Sequence, residues 1–103
     1  MLNRIDWFTI LDKHCYETLR QIYVEPPPDI VWIDIQNLLE KVAEKLRNEG
    51  VEAKVKSIPG DPVIIHLDGA PQGIVPEPDP AKRTARRNIQ KVREILRYVG
   101  VIP

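Results

Sequence analysis

The spacing of apolar residues changes twice along this chain, and the changes limit the fold that it can adopt. From Ile35 to Leu46 apolar residues recur every three or four positions, which is the spacing of one face of a helix. After Gly50 apolar and charged residues alternate, which indicates half-buried strands. The predicted strands are residues 51–56, 63–67 and 74–75. The helical spacing then returns from Asp79 to Gly100, so a small sheet lies between two helices in the sequence.

The predicted C-terminal helix is strongly basic. Asp79 can cap its first turn, Pro80 suits a first helical position that needs no amide donor, and Gly100 can end the helix. Its apolar stripe is Ala85, Ile89, Val92, Leu96 and Val99. Its other faces carry Lys82, Arg83, Arg86, Arg87, Lys91, Arg93 and Arg97 against the single acid Glu94. The local net charge is therefore +6 in a chain whose net charge is zero.

A further helix is predicted near the start of the chain, over residues 3–24, with Asn3 as its N-cap. Its apolar stripe is Ile5, Phe8, Leu11, Cys15, Leu19 and Ile22. Three prolines at 26–28 end this helix and favour an extended spacer; a ligand for an SH3 or WW domain is the less favoured interpretation. Residues 30–33 fit either an edge strand or a packed linker, and Asp34 is the predicted cap of the next helix.

Length and composition exclude several classes of protein. A chain of 103 residues favours one domain, 1–103, in which residues 1–33 precede a core at 34–103. Cys15 is the single cysteine, so no internal disulfide can form, and no Cys/His spacing fits a zinc site. The side chains of His14 and Cys15 point about 100° apart on a helix, so we do not expect them to form a joint reactive or metal site. We expect Cys15 to be a small buried residue. We expect no cofactor, no membrane association and a location in the reducing cytoplasm.

The order of helix, three strands and helix from residue 34 onward is the order found in double-stranded RNA-binding folds. Short motifs narrow this likeness: Ile-Gln-Asn-Leu-Leu-Glu (35–40), Asn-Glu-Gly-Val (48–51), Asp-Gly (68–69), Ile-Val-Pro (74–76) and Ile-Leu-Arg-Tyr-Val-Gly-Val (95–101). Together they resemble the HicA (YcfA-like) mRNA interferase toxins over residues 34–103. The pattern and the resemblance predict an α+β fold, with helices on one face of a three-stranded antiparallel sheet and an extra N-terminal helix.

The resemblance implies an RNA-binding protein with mRNA interferase activity and, as a further candidate partner, an antitoxin-like protein. The family's catalytic histidine stands at the start of the second strand, where this chain has Gly-Asp-Pro at 60–62. His66 is the nearby residue that could take the role, as general base and acid with Asp68 on the same strand face. A surface histidine with no catalytic role is the alternative. Because Pro62 has no titratable group, we expect an inactive protein more than an active one.

The start of the last helix is the predicted RNA-binding site. Four cations, Lys82, Arg83, Arg86 and Arg87, fall in its first two turns. Backbone amides and the helix dipole attract phosphate at the same place, and Arg93 is predicted to extend the site. The alternative is a solvated helix face that is balanced by the acidic remainder of the chain.

A second hypothesis comes from the placement of the aromatic residues. Five of them lie in the first third of the chain: Trp7, Phe8, Tyr16, Tyr23 and Trp32. This placement disfavours the stacking of bases and favours recognition of the phosphate backbone. It also favours a non-enzymatic interaction module, in which the first helix and the Trp32 segment form a homodimer or a partner interface.

Overall fold

A computed structural model describes residues 7–58, 61–67, 69–75 and 81–103. In these ranges the helices are α1 (Trp7–Ile10), α2 (Lys13–Ile22), α3 (Trp32–Asn48) and α4 (Arg86–Tyr98). The strands are β1 (Ala53–Lys56), β2 (Val63–Leu67) and β3 (Gly73–Val75). The predicted α+β class and the order α-β-β-β-α after the N-terminal part are confirmed.

The strands form one antiparallel sheet in the order β1-β2-β3, and alternate residues face opposite sides of it. The inner face is apolar and buried, and consists of Ala53, Val63, Ile65, Leu67 and Val75. The opposite face, here called the open face, carries Lys54, Lys56, Ile64, His66 and Ile74. α3 packs on β1 and α4 packs on β3, so the two helices cover the inner face as predicted.

The N-terminal part differs from the single helix that the sequence predicts. It consists of α1 and α2, and the chain bends between them because the Asp12 carboxylate caps α2 by accepting the Cys15 amide at 2.7 Å. That bond lowers the pKa of Asp12 below its usual value. The predicted cap, Asn3, lies outside the described residues.

α2 packs against α3 and α4, so its apolar stripe is covered within the chain. The stripe residues Leu11, Cys15, Leu19 and Ile22 are buried, and Trp7 from α1 is only 3% exposed. The phenol of Tyr23, just after α2, donates to the Val101 carbonyl at 2.9 Å and ties this part to the C-terminus. The first helix therefore completes the core of its own chain.

α3 begins three residues earlier than predicted. Val31 is its N-cap, no side chain caps it, and Asp34 lies in its first turn rather than before it. The sequence did not decide whether residues 30–33 form an edge strand or a packed linker, and the structure divides them between a bridge and a helix. Val31 forms a single antiparallel bridge with Arg83, whereas Trp32 and Ile33 are already helical.

α4 begins at Arg86, not at Pro80, and the predicted helix start is wrong. The backbone before it is held extended, because the Thr84 amide donates to the Ile30 carbonyl at 2.7 Å and the Lys82 carbonyl accepts from Trp32 at 3.1 Å. Ala85 is the N-cap and is exposed, although the sequence predicts it on the buried stripe. Asp79 and Pro80 lie outside the described residues.

The C-terminal ends of the long helices agree with the sequence. Gly50 follows α3 and Gly100 follows α4, and both have φ of +82°. Glycine reaches this left-handed conformation without the steric penalty of a side chain, so it ends the helices as predicted. No helix in the described ranges is long and apolar enough to cross a membrane.

Candidate nucleic-acid interface

The starts of α3 and α4 are held side by side by the short pairing between residues 30–32 and 82–84. Three contacts make this pairing: the Thr84–Ile30 and Trp32–Lys82 hydrogen bonds and the Val31–Arg83 bridge. Because the pairing fixes the backbone immediately before α4, it sets the direction in which the first residues of α4 point.

Four cations surround this junction. Lys82 and Arg83 lie in the extended segment and Arg86 and Arg87 open α4; all four side chains are exposed, and we call them the basic surface. Arg83 lies 3.4 Å from the Asp29 carboxylate, but both side chains are about three-quarters exposed (74% and 77%) and such pairs contribute little. Within the described ranges the other three form no ion pair. The cations predicted from sequence are thus brought together, although only two of them are helical.

The first turn of α4 adds backbone donors to these cations. Ala85 supplies no side-chain cap, while the Asn88 and Ile89 amides both donate to the Ala85 carbonyl. The amides of Arg86 and Arg87 precede these bonds and have no acceptor within the helix. Unpaired amides and the positive end of the helix dipole both favour an anion at this place.

A polar cleft of about 270 Å³ opens beside the start of α4. Pro28 and Asp29 form one wall, and Arg83, Thr84 and Arg86 form the other. The hydroxyl oxygen of Thr84 is buried and has no hydrogen-bond partner among the described residues. The cleft is large enough to admit a phosphate group, and Asp29 restricts the side from which an anion can approach.

Arg93, the fifth predicted RNA-binding residue, points elsewhere. Its side chain is only 12% exposed and forms an ion pair with Glu25. Its guanidinium also donates to the Ile22 carbonyl at 2.8 and 3.0 Å and to the Val24 carbonyl at 3.3 Å. These contacts join α4 to the end of α2, so we leave Arg93 out of the basic surface.

His66 lies on the open face of the sheet. Its side chain is 35% exposed, and its Nε2 atom is 3.7 Å from a carboxylate oxygen of Glu52. Asp68, its predicted partner, lies outside the described residues. α4 reaches the sheet from the other side, where a Cβ on Gly73 would overlap the terminal methyl of Ile95. The structure therefore does not bring His66 together with the basic surface.

Two cations near His66 were missed by the sequence analysis. Lys54 pairs with His66 and Lys56 pairs with Ile64 in the sheet, so both lysines share the open face with the histidine. The alternation of residues 51–56 already contained this information, because it assigns both lysines to the solvent side. A few cations around one histidine do not define a catalytic site.

The second histidine and the cysteine do not form a reactive pair. His14 is exposed, and its Nε2 atom lies 2.9 Å from the Asp34 carboxylate, which raises the pKa of His14. Cys15 is buried, and that burial raises the pKa of its thiol to about 11. Among the described residues no group of three or more His, Cys, Asp or Glu is placed to hold a metal ion.

Comparisons with known proteins assign no family to this arrangement. The chain matches no family model, no curated protein and no solved structure. The resemblance to HicA proteins stays a prediction from short motifs.

Proposed function

We propose that this protein binds RNA through its phosphate backbone, with the basic surface as the contact. One observation carries the proposal: Lys82, Arg83, Arg86 and Arg87 are all exposed around a helix start whose first amides have no acceptor within the helix. Each cation that neutralises a phosphate releases bound counterions, so such a surface binds RNA more tightly at low salt.

The aromatic residues favour backbone contacts over the reading of bases. Trp7 and Trp32 are 3% and 1% exposed, and the Trp32 indole donates to Gln36 inside the fold. Side chains this deeply buried cannot stack on a base. We therefore propose recognition with little dependence on base sequence, by a protein that works in the cytoplasm.

We propose an RNA-binding protein without ribonuclease activity. The HicA resemblance expects a histidine where this chain has Pro62, and proline can neither accept nor donate a proton in catalysis. His66 could replace it only by acting on the open face, opposite the face on which α4 packs. RNA that is held at the start of α4 would then lie away from the sheet face that carries His66.

The experiment is a gel-shift assay with labelled single- and double-stranded RNA at low and moderate salt, read for both shift and cleavage. The test variant carries Arg86→Glu and Arg87→Glu. A matched control carries Arg20→Glu and Lys41→Glu, which make the same change in charge at exposed positions of α2 and α3. Both variants are first checked for a cooperative unfolding transition.

We expect a salt-sensitive shift for the natural protein and the control, and a loss of at least about tenfold in affinity for the test variant. Equal loss in both variants would show that only net charge matters, and no loss in either would refute the site. Cleavage that disappears in His66→Ala would overturn the proposal that the protein is not a ribonuclease.

An interaction module built on the first helix is the less favoured function. The stripe residues Leu11, Cys15, Leu19 and Ile22 are buried, and α2 packs on α3 and α4 within one chain. A partner surface has to be sought elsewhere in the fold.

A further inference from the structure

The cleft beside the start of α4 has walls of opposite charge. Arg83, Thr84 and Arg86 supply one wall, and the other carries Pro28 and the acid Asp29. A carboxylate repels phosphate, so Asp29 weakens a cleft that holds phosphate alone. The position of this acid therefore indicates that a second chemical group of the ligand enters the cleft together with the phosphate.

The backbone anchors Asp29 next to the basic surface. The following residue, Ile30, is 2% exposed, and its carbonyl accepts from the Thr84 amide at 2.7 Å. Val31 then forms the antiparallel bridge with Arg83. Asp29 therefore adjoins a fixed part of the fold, and its carboxylate lies 3.4 Å from Nη1 of Arg83.

The ion pair between Asp29 and Arg83 leaves both side chains able to bind a ligand. A guanidinium has several N–H donors and a carboxylate has several lone pairs, so a single contact satisfies neither group. Both side chains are exposed, and an exposed pair of this kind is weak. Arg83 can thus keep its contact with Asp29 while it donates to a phosphate, which places a hydrogen-bond acceptor next to that phosphate.

A carboxylate accepts hydrogen bonds and donates none. Within a strand, the donor in the sugar–phosphate backbone of RNA is the 2′-hydroxyl, and the backbone of DNA lacks it. The 2′-hydroxyl and the phosphate that follows it belong to the same nucleotide, as neighbouring contacts with Asp29 and Arg83 require. DNA in the same place would repel Asp29 without supplying a donor.

We infer that Asp29 accepts a hydrogen bond from the ribose 2′-hydroxyl beside the phosphate that Arg83 and Arg86 bind, and that it thereby makes the protein select RNA over DNA. This role of Asp29 depends on the proposed function, RNA binding by the basic surface. It adds a specificity-determining residue on the wall of the cleft opposite the cations.

The alternative role of Asp29 is only to neutralise Arg83. In that case removing the carboxylate would strengthen the binding of RNA and DNA equally, because the lost charge repels the phosphates of both. In the inferred role, DNA gains affinity by the lost repulsion, whereas RNA also loses a hydrogen bond. The ratio of the two affinities therefore separates the two roles.

The test measures the affinity of the full chain for three short labelled strands of one base sequence, by fluorescence anisotropy at one salt concentration. The strands are RNA, DNA and RNA with 2′-fluoro sugars, which keep the sugar pucker of RNA but lack the donor. Asp29→Ala removes the acceptor. Glu44→Ala, the matched control, removes the same charge from an exposed position near the C-terminal end of α3. Both variants are first checked for cooperative unfolding.

We expect the natural protein and Glu44→Ala to bind RNA about tenfold more tightly than the other two strands, the size of one hydrogen bond to a charged group. In Asp29→Ala the three affinities should converge, with DNA bound more tightly than by the natural protein.

The role of Asp29 would be overturned by equal binding of the three strands to the natural protein, or by 2′-fluoro RNA that binds as tightly as RNA. A preference that Asp29→Ala keeps, or that Glu44→Ala also loses, would overturn it as well. If Arg86→Glu/Arg87→Glu still abolishes binding in these cases, the proposed function stands without this role. Absence of saturable RNA binding by the natural protein would refute both.

Discussion

The Arg93 guanidinium donates two hydrogen bonds to the Ile22 carbonyl, at 2.8 and 3.0 Å, across 71 residues of sequence. Ile22 is the last residue of α2, where helical carbonyls lack intrahelical donors and the dipole is negative. Burying the Arg93 cation alone would be costly, and the Ile22 carbonyl has no donor within its helix. The hydrogen bonds between them satisfy both groups. This contact fixes α4 against the end of α2, and so orients the start of α4.

Replacing Arg93 should destabilise the fold. Arg93→Met keeps much of the apolar stem but leaves the Ile22 and Val24 carbonyls without a donor, so we expect a loss of about 2 kcal/mol in the free energy of unfolding. Urea titration measures it. Arg87→Met, at an exposed position, is the control and should stay within about 0.5 kcal/mol. Equal losses of unfolding free energy in Arg93→Met and Arg87→Met would mean that the contact between Arg93 and the end of α2 does not stabilise the fold.

The His14–Asp34 pair should make stability depend on pH. The hydrogen bond and charge of Asp34 raise the pKa of His14 in the folded state above its unfolded value. Protonated His14 therefore contributes its full stability below about pH 6.5, and loses it as pH rises through the higher folded pKa.

Thermal unfolding of the natural protein and of His14→Gln between about pH 5.5 and 8.5 checks this dependence. We expect the stability difference between them to be largest at the acid end and to shrink toward the alkaline end. Asp34→Asn should remove the same dependence. A difference that grows with pH would contradict the assignment.

Cys15 should be an unreactive thiol in the folded protein. The pKa of the Cys15 thiol is about 11, so its thiolate fraction at pH ~8 is roughly a hundredfold or more below that of free cysteine. Burial also blocks the access of reagents to the sulfur. Reaction with a thiol-specific reagent should therefore follow the rate of unfolding. Rapid labelling in native buffer, without loss of the unfolding transition, would show that the packing of α2 against α3 does not cover Cys15.

Gly73 and Ile95 should show strong coupling in a double-mutant cycle. The side chain of Gly73→Ala would overlap the Cδ1 methyl of Ile95, so we expect a loss of about 1–3 kcal/mol from overpacking. Ile95→Val removes that methyl and alone costs about 1 kcal/mol. The double variant should be more stable than the sum of the two losses predicts. Simple additivity would mean that α4 does not approach β3 this closely.

Elements with local signals were predicted well from the sequence. β2 has the predicted limits Val63–Leu67, and its apolar residues face inward, because alternation and flanking prolines are sufficient to define a short strand. The ends of α3 and α4 were also predicted, because glycine at a left-handed position stops a helix wherever it lies.

Elements that depend on distant partners were not predicted. α4 starts at Arg86 because the Thr84 amide bonds to Ile30, and no property of residues 79–85 reveals that bond. The role of Arg93 depends in the same way on the Ile22 carbonyl. Four of the five predicted RNA-binding residues do lie together, because their proximity in sequence ensures it. A groove between β3 and α4 was missed as well, since it joins Ile74 to Tyr98 through tertiary packing alone.

The most direct test of the account is the salt dependence of RNA affinity. We compare the natural protein with the Arg86→Gln/Arg87→Gln variant on one labelled single strand, and use Arg20→Gln/Lys41→Gln as the charge-matched control. If both arginines contact phosphates, the slope of log affinity against log salt should be shallower by about 1.4 in the variant and unchanged in the control. Equal slopes for all three proteins would contradict the basic surface as the RNA-binding site.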